Sequence, residues 1–169
     1  GAGTSTNMNV NEVLANVGLE LAGHAKGEYQ FLDSHDHLNM SQSTNDSYPT
    51  AIKVAFMLRN GTLIAEMEAL AASFRAKGDA FLTIVKMGRT ELQDAVPMTL
   101  GQEFHAFAAS IEWEIQLLRD AERYLYAQNM GASAIGTGIN VPKGYPERCA
   151  AHLAELTGKP IVPASDMSA

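Results

Sequence analysis

The chain has 169 residues, 46% of them hydrophobic, which is enough to bury a substantial core and excludes a disordered segment. Its formal net charge is -7, and its Lys and Arg residues are scattered singly, which excludes a nucleic-acid backbone as partner. The single cysteine, Cys149, excludes an intrachain disulfide framework and points to a reducing, cytoplasmic setting; no apolar run approaches the ~20 residues of a membrane span.

The opening, GAGTSTNMNVNEVLANVGLELAG, starts as a glycine-flanked loop and feeds a helix marked by Val13, Leu14, Val17 and Leu21. Asn7, Asn9 and Asn11 sit at that transition, where short polar side chains satisfy free backbone donors, and Gly23 is the expected stop. From His24 to Tyr48 the periodicity is lost, which predicts an irregular segment with one short helix. Asp33, His35, Asp36 and His37 within it have no further ligands at recognised spacing, so they predict no metal site.

A long helix is expected from the region of Pro49 to about Lys77, with Asn45, Asp46 and Ser47 as capping candidates and Ile52, Phe56, Leu63, Met67, Leu70 and Phe74 as its apolar positions. Asn60 and Gly61 are expected to interrupt it, and Gly78 to end it. FLTIVKMGRTELQDAVP predicts a turn of helix or a brief extended stretch that closes at Pro97. A second long helix follows over residues 98–128, with Leu100, Phe104, Phe107, Ile111, Ile115, Leu118 and Leu125 as one narrow seam roughly 45 Å long. Such helices suit a bundle shared between subunits, and a charged fraction of only 18% agrees with helix faces covered by partners. NMGASAIGTGIN predicts a glycine-rich turn, and YPERCAAHLAELTG a shorter helix ending at Gly158. The fold class is all-α, a long-helix bundle, read as one domain.

Four polar clusters stand apart from the seams: GAGTSTNMN, QSTND, GRTELQD and GASAIGTGIN. All lie at helix ends or in loops, where free backbone donors and hydroxyls can converge on an anion. On their own Ser43, Thr44 and Asn45 read first as a helix cap and only second as a binding cluster, and Thr4 between glycines can present its hydroxyl and backbone amides to a carboxylate. Glu91, Asp94 and Glu103 are candidate carboxylates for proton transfer, a role most such groups do not have. GxGxxG, a Walker lysine and a G-x-S-x-G elbow are absent, which argues against nucleotide binding and serine hydrolase chemistry.

GAGTSTNMNVNEVLAN, QSTNDSYPT, KMGRTELQDAVPMTLGQEF and GASAIGTGIN in this order resemble the aspartase and fumarase superfamily of lyases over essentially the whole chain. STND and DAVPMTLGQEFHAF look like its aspartase branch. The resemblance implies elimination of ammonia from aspartate to give fumarate through an aci-carboxylate intermediate, with no cofactor. It implies a homotetramer whose active sites are each assembled from three subunits. Thr4, Ser43, Thr44 and Asn45 are then expected to hold the substrate's carboxylate and amine, with Thr90 and Glu91 supplied by another subunit.

Family members commonly carry His or Gln where Glu91 stands. A carboxylate there repels a dicarboxylic substrate unless it is protonated, turned away or paired with the substrate's ammonium. The family's catalytic base is a serine on a glycine- and serine-rich loop, and no matching GSS...K.N segment occurs in residues 1–169. These residues are therefore expected to be part of the central helical domain, with the N-terminal domain and the catalytic loop outside them and no activity of their own. The alternatives are a fumarate hydratase and a non-catalytic helical assembly domain.

Overall fold

The computed structural model describes residues 1–168, and their backbone is mainly helical. The chain groups into two compact units, one formed by Gly1–Phe56 with the segment from Tyr124 onward, the other by Met57–Arg123. Among the described residues no helix is long and apolar enough to cross a membrane.

The first unit opens with helix α1, Thr4–Leu21, which begins before the predicted loop has run its course. Gly3 explains the early start: it takes a left-handed φ of 90° at the N-cap, and a Cβ there would lie 2.5 Å from the Tyr48 ring. Asn7 and Asn11 consequently sit within the helix. Both donate through Nδ2 to Asn39 Oδ1 at 3.1 Å, tying α1 to the irregular segment. α1 buries Asn11, Ala15 and Leu19 and leaves Val10, Val13, Leu14, Val17 and Leu21 exposed; steps of three and four put the exposed set on one stripe.

The irregular segment holds one π-helical turn, Ser34–Leu38. Asp33 caps it, accepting at 2.7 Å from the backbone N–H of His35 and of Asp36. Those two donors, Asp36's first, hold the Asp33 carboxyl below its ordinary range. His37 Nδ1 accepts from the Asp33 N–H at 2.8 Å, so these acidic and imidazole groups serve the turn's own backbone.

Helix α2, Thr44–Ala80, is unbroken at Asn60 and Gly61, and at ~1.5 Å per residue it is about 55 Å long. Asn60 Nδ2 donates to Leu118 O and to Glu122 Oε2, so its side chain makes tertiary bonds instead of opening the helix. Pro49 lies inside α2, where it cannot donate to the carbonyl four residues back, that of Asn45. Asn129 Nδ2 reaches that carbonyl at 3.4 Å.

In the second unit α2 is followed by an antiparallel hairpin of β1, Val85–Thr90, and β2, Gln93–Thr99, in place of the expected helical turn or single stretch. Helix α3, Leu100–Ala121, starts at a capping box of Thr99 and Gln102. It ends seven residues before the predicted limit, passing into a 3-10 turn at Glu122–Leu125. Phe74 of α2 and Phe81 just beyond its end meet Phe104 and Phe107 of α3 with ring centroids 5.4 to 5.8 Å apart, tilted as aromatic quadrupoles prefer. Gly101 is buried against the Gly78 carbonyl and Leu82 backbone.

The first unit is completed by helix α4, Tyr145–Thr157, closed by Gly158 at φ 67° as the sequence predicts, and by two-residue strands β3, Ala127–Gln128, and β4, Val162–Pro163, paired in parallel.

Gly101→Ala places a methyl group inside contact distance of backbone that cannot yield. We expect it to lower stability by about 1–3 kcal/mol, read as a shift of the urea midpoint at unchanged slope; a midpoint within error of the parent would show that α3 can move off α2.

Candidate functional site

Three of the four polar clusters converge in the first unit. The convergence begins with the start of α2. Ser43 Oγ accepts from Asn45 N at 3.1 Å, and Asp46 Oδ1 accepts from Ser43 N at 2.9 Å, a reciprocal cap of the kind that fixes a first helical turn. Thr44 Oγ1 accepts from Asn7 Nδ2 at 3.1 Å, and Ser47 Oγ donates to Asn7 Oδ1 at 3.3 Å. Asn7 thereby joins the first turns of α1 and α2. Thr4 is exposed at the α1 start, distant from Ser43 and Thr44 in sequence but on the same assembled end, because Gly3 packs against Tyr48.

The glycine-rich segment closes on this end from the other side. Asp46 is fully buried, and its Oδ2 accepts from Ser133 N at 2.9 Å and from Gly131 N at 3.3 Å. Ser133 holds a left-handed φ of 60°, a conformation that costs a non-glycine residue on the order of 1 kcal/mol or more. Asn45 Nδ2 donates to Ala134 O at 2.8 Å. Asn45, Asn129, Ser133, Ala134 and Gly136 line a cavity of about 160 Å³, room for a small polar molecule given ~30 Å³ per water.

This bonding pattern fixes what each group has left to offer. Ser43 and Thr44 use their hydroxyl oxygens as acceptors, which leaves the O–H protons to donate. Asn45 commits one of its two amide N–H groups to Ala134, which leaves Oδ1 as an acceptor. Asn45 lines the cavity while Thr4, Ser43 and Thr44 do not; hydroxyl donors and an amide oxygen at one helix junction are the groups that a ligand with both an anionic and a cationic group needs.

Tyr145, the first residue of α4, lies beneath the glycine-rich segment, its ring within 3.3 Å of where a Gly131 Cβ would sit. Burial raises the Tyr145 phenol well above its ordinary range, and a hydrogen bond to Cys149 adds to the rise. Cys149 is half-buried and serves as packing and as that partner.

Thr90 and Glu91, from the fourth cluster, lie in the second unit at the tip of the β1–β2 hairpin. Thr90 pairs with Gln93, and Glu91 and Leu92 between them take φ of 50° and 63°, the signature of a primed two-residue turn built without its usual Asn or Gly. The hairpin's other charges are matched: Arg89 Nε lies 2.9 Å from Asp94, and Lys86 Nζ 2.6 Å from Glu103. Glu91 is exposed and has no ionic partner among the described residues. Asp94 and Glu103, candidate carboxylates from the sequence, are thus the anionic halves of ion pairs.

Sequence reasoning named Ser43, Thr44, Asn45 and Thr4, Asn7 as a partner of free backbone donors, and the GASAIGTGIN cluster, but missed Asn39 and Asn129 and the bonds through which Asn7 and the Gly131–Ala134 backbone arrange the rest. Asp46 entered only as a cap. The Ser-x-x-Asp spacing signalled its bond to Ser43, but nothing local signalled the loop 85 residues away.

A model of the lyase family matches residues 1–169. The chain is 53% identical over 168 residues to an aspartate ammonia-lyase of Pseudomonas aeruginosa, covering 99% of this chain and 35% of that protein. Its backbone is similar to that of a fumarate lyase:delta crystallin from Brucella melitensis, solved bound to cobalt, with a TM-score of 0.90, 45% identity, and coverage of 99% of this chain and 36% of that one. A class II fumarase from Schistosoma mansoni matches with a TM-score of 0.82 at 30% identity, over 98% of this chain and 38% of that one. The chain spans about a third of the length of the curated relatives it matches.

Because the folded state raises the Tyr145 phenol above the ordinary value of 10.0, the folded protein binds that proton more tightly than the unfolded chain does. The resulting stability is fully present below pH 10.0 and is lost as pH rises above it. Denaturant unfolding across that alkaline range is expected to show the loss in the parent and a shallower one in Tyr145→Phe; equal slopes would mean that Tyr145 ionises as freely folded as unfolded.

Proposed function

The chain belongs to the lyase family, and from that premise we propose that the protein is an ammonia-lyase that eliminates ammonia from aspartate to give fumarate, with residues 1–169 forming part of its central helical domain. The observation that carries the reading is the division of labour at the α1–α2 junction. Aspartate has two carboxylates to be met by donors and one ammonium to be met by an acceptor.

In this reading the hydroxyls of Thr4, Ser43 and Thr44 donate to substrate carboxylate, and Asn45 Oδ1 accepts from the ammonium. The C–H bond beside the β-carboxylate breaks first, its proton passing to a base and its electron pair spreading into the carboxylate as an aci-carboxylate. That electron pair then forms the double bond while the C–N bond breaks and ammonia leaves. Donors aimed where negative charge builds are the main source of acceleration in such a step. The base is a serine on a loop outside residues 1–169, as the resemblance to the superfamily implies, so these residues alone are inert.

Thr90 and Glu91 reach the pocket of another subunit. Glu91, lacking an ionic partner on its own hairpin, complements the substrate ammonium, which resolves the conflict that a carboxylate would otherwise have with a dicarboxylic acid. The exposed stripe of α1, with Leu21 85% and Val13 55% accessible, supports a homotetramer in which long helices cover one another's apolar faces. A single cysteine suits the cytoplasm.

The same donor set would accept malate, whose hydroxyl replaces the ammonium. The higher identity to the aspartate ammonia-lyase than to the fumarase, 53% against 30%, favours the amine substrate over a hydratase.

Two tests follow. In the full-length protein Thr4→Ala is expected to lower kcat/KM for aspartate by roughly 10²-fold with the oligomer intact, the usual cost of one donor to a developing oxyanion; unchanged activity would leave the junction a set of helix caps. Leu14→Lys, on the exposed α1 stripe, is expected to dissociate the oligomer by light scattering, and an intact oligomer would move the subunit interface elsewhere.

A further inference from the structure

Asp46 is the most tightly enclosed ionisable group of the first unit, and the proton and substrate chemistry above does not use it. It is 0% exposed, and three backbone N–H groups from two distant segments share its carboxylate: Ser43 on Oδ1, Gly131 and Ser133 on Oδ2. A buried carboxylate survives only with such compensation, so these bonds fix the distance between the α2 cap and the glycine-rich segment.

Two further bonds ride on that fixed distance. Ala134, the residue after Ser133, supplies the carbonyl that receives the Asn45 amide at 2.8 Å, and Asn129 Nδ2 returns to the Asn45 carbonyl at 3.4 Å. An Asn carboxamide that is free to rotate presents an N–H or an oxygen with nearly equal ease. Here the Ala134 carbonyl allows only the N–H on its side.

We propose that Asp46 is a positioning residue that fixes the orientation of the Asn45 carboxamide through the Gly131–Ala134 segment, and so makes the site selective for a substrate amine. The inference rests on the reading of Asn45 as the ammonium acceptor. It assigns to Asp46 an effect on amine recognition separate from carboxylate recognition. Replacing the carboxylate with a carboxamide keeps the shape but turns one acceptor oxygen into a donor that faces backbone N–H. One of the two segments must then move.

The test uses the full-length protein in the reverse direction, making aspartate from fumarate and ammonium. Asp46→Asn is expected to raise the KM for ammonium by about tenfold, the change that follows from losing one hydrogen bond to a charged group, while the KM for fumarate stays within about twofold. A merely structural role would lower kcat, or raise both KM values together, and either pattern overturns the proposal. Should Asp46→Asn fail to fold, Asn129→Ala decides: it removes the other tie to Asn45 from a half-buried position beside the cavity, and is expected to raise the ammonium KM selectively and by less. An unchanged ammonium KM in that variant overturns the proposal. If the parent protein makes no aspartate at all, the ammonia-lyase reading itself fails and this inference falls with it.

Discussion

The buried carboxylate of Asp46 is the constraint on which the first unit depends. A charge removed from water costs several kcal/mol unless hydrogen bonds replace its hydration, and here the replacements are backbone N–H groups of two segments 85 or more residues apart in sequence. The glycine-rich segment has no regular structure of its own to hold it. The α2 cap and the glycine-rich loop therefore take their relative position from Asp46, and the bonds of Asn45 with Ala134 and Asn129 join the same two segments beside it.

Around that fixed point the chain uses amide side chains where a compact helical protein would use apolar packing. Asn7 and Asn11 converge on Asn39, and Asn129 relieves the carbonyl that Pro49 leaves open. Amides suit a junction lying beside a polar site because they bond in both directions. The cost is that such a junction specifies itself only when every member is satisfied. The apolar residues freed from this work, Val10, Val13, Leu14, Val17 and Leu21, face outward, which links the polar interior of the junction to the assembly proposed for the whole protein.

The helices were legible in the sequence to the extent that their signals are local. The apolar spacing of α2 and α3 and the Gly158 stop of α4 depend on residues within a few turns, and the structure places them accordingly. The hairpin was not legible, because Glu91 and Leu92 occupy left-handed backbone that ordinarily signals itself through Asn or Gly. Asn60 and Gly61 misled for the converse reason: local propensity disfavours them in a helix, and the Asn60 bonds to Leu118 and Glu122 override it. Of the candidate site, Ser43, Thr44 and Asn45 were visible as a polar cluster. Their division into donors and an acceptor was not, since it is decided by Asn7 and Ala134, which only the fold brings near.

The central claim is that the junction sorts a substrate's charges, with hydroxyls on carboxylate and Asn45 Oδ1 on ammonium. The direct measurement is a crystal structure of the full-length protein with aspartate bound. The account predicts the substrate nitrogen about 3 Å from Asn45 Oδ1, with a carboxylate on the hydroxyls of Thr4, Ser43 and Thr44 and the Asn45 amide still on Ala134. A nitrogen bound elsewhere, or an Asn45 carboxamide turned to donate to a substrate carboxylate, would contradict it.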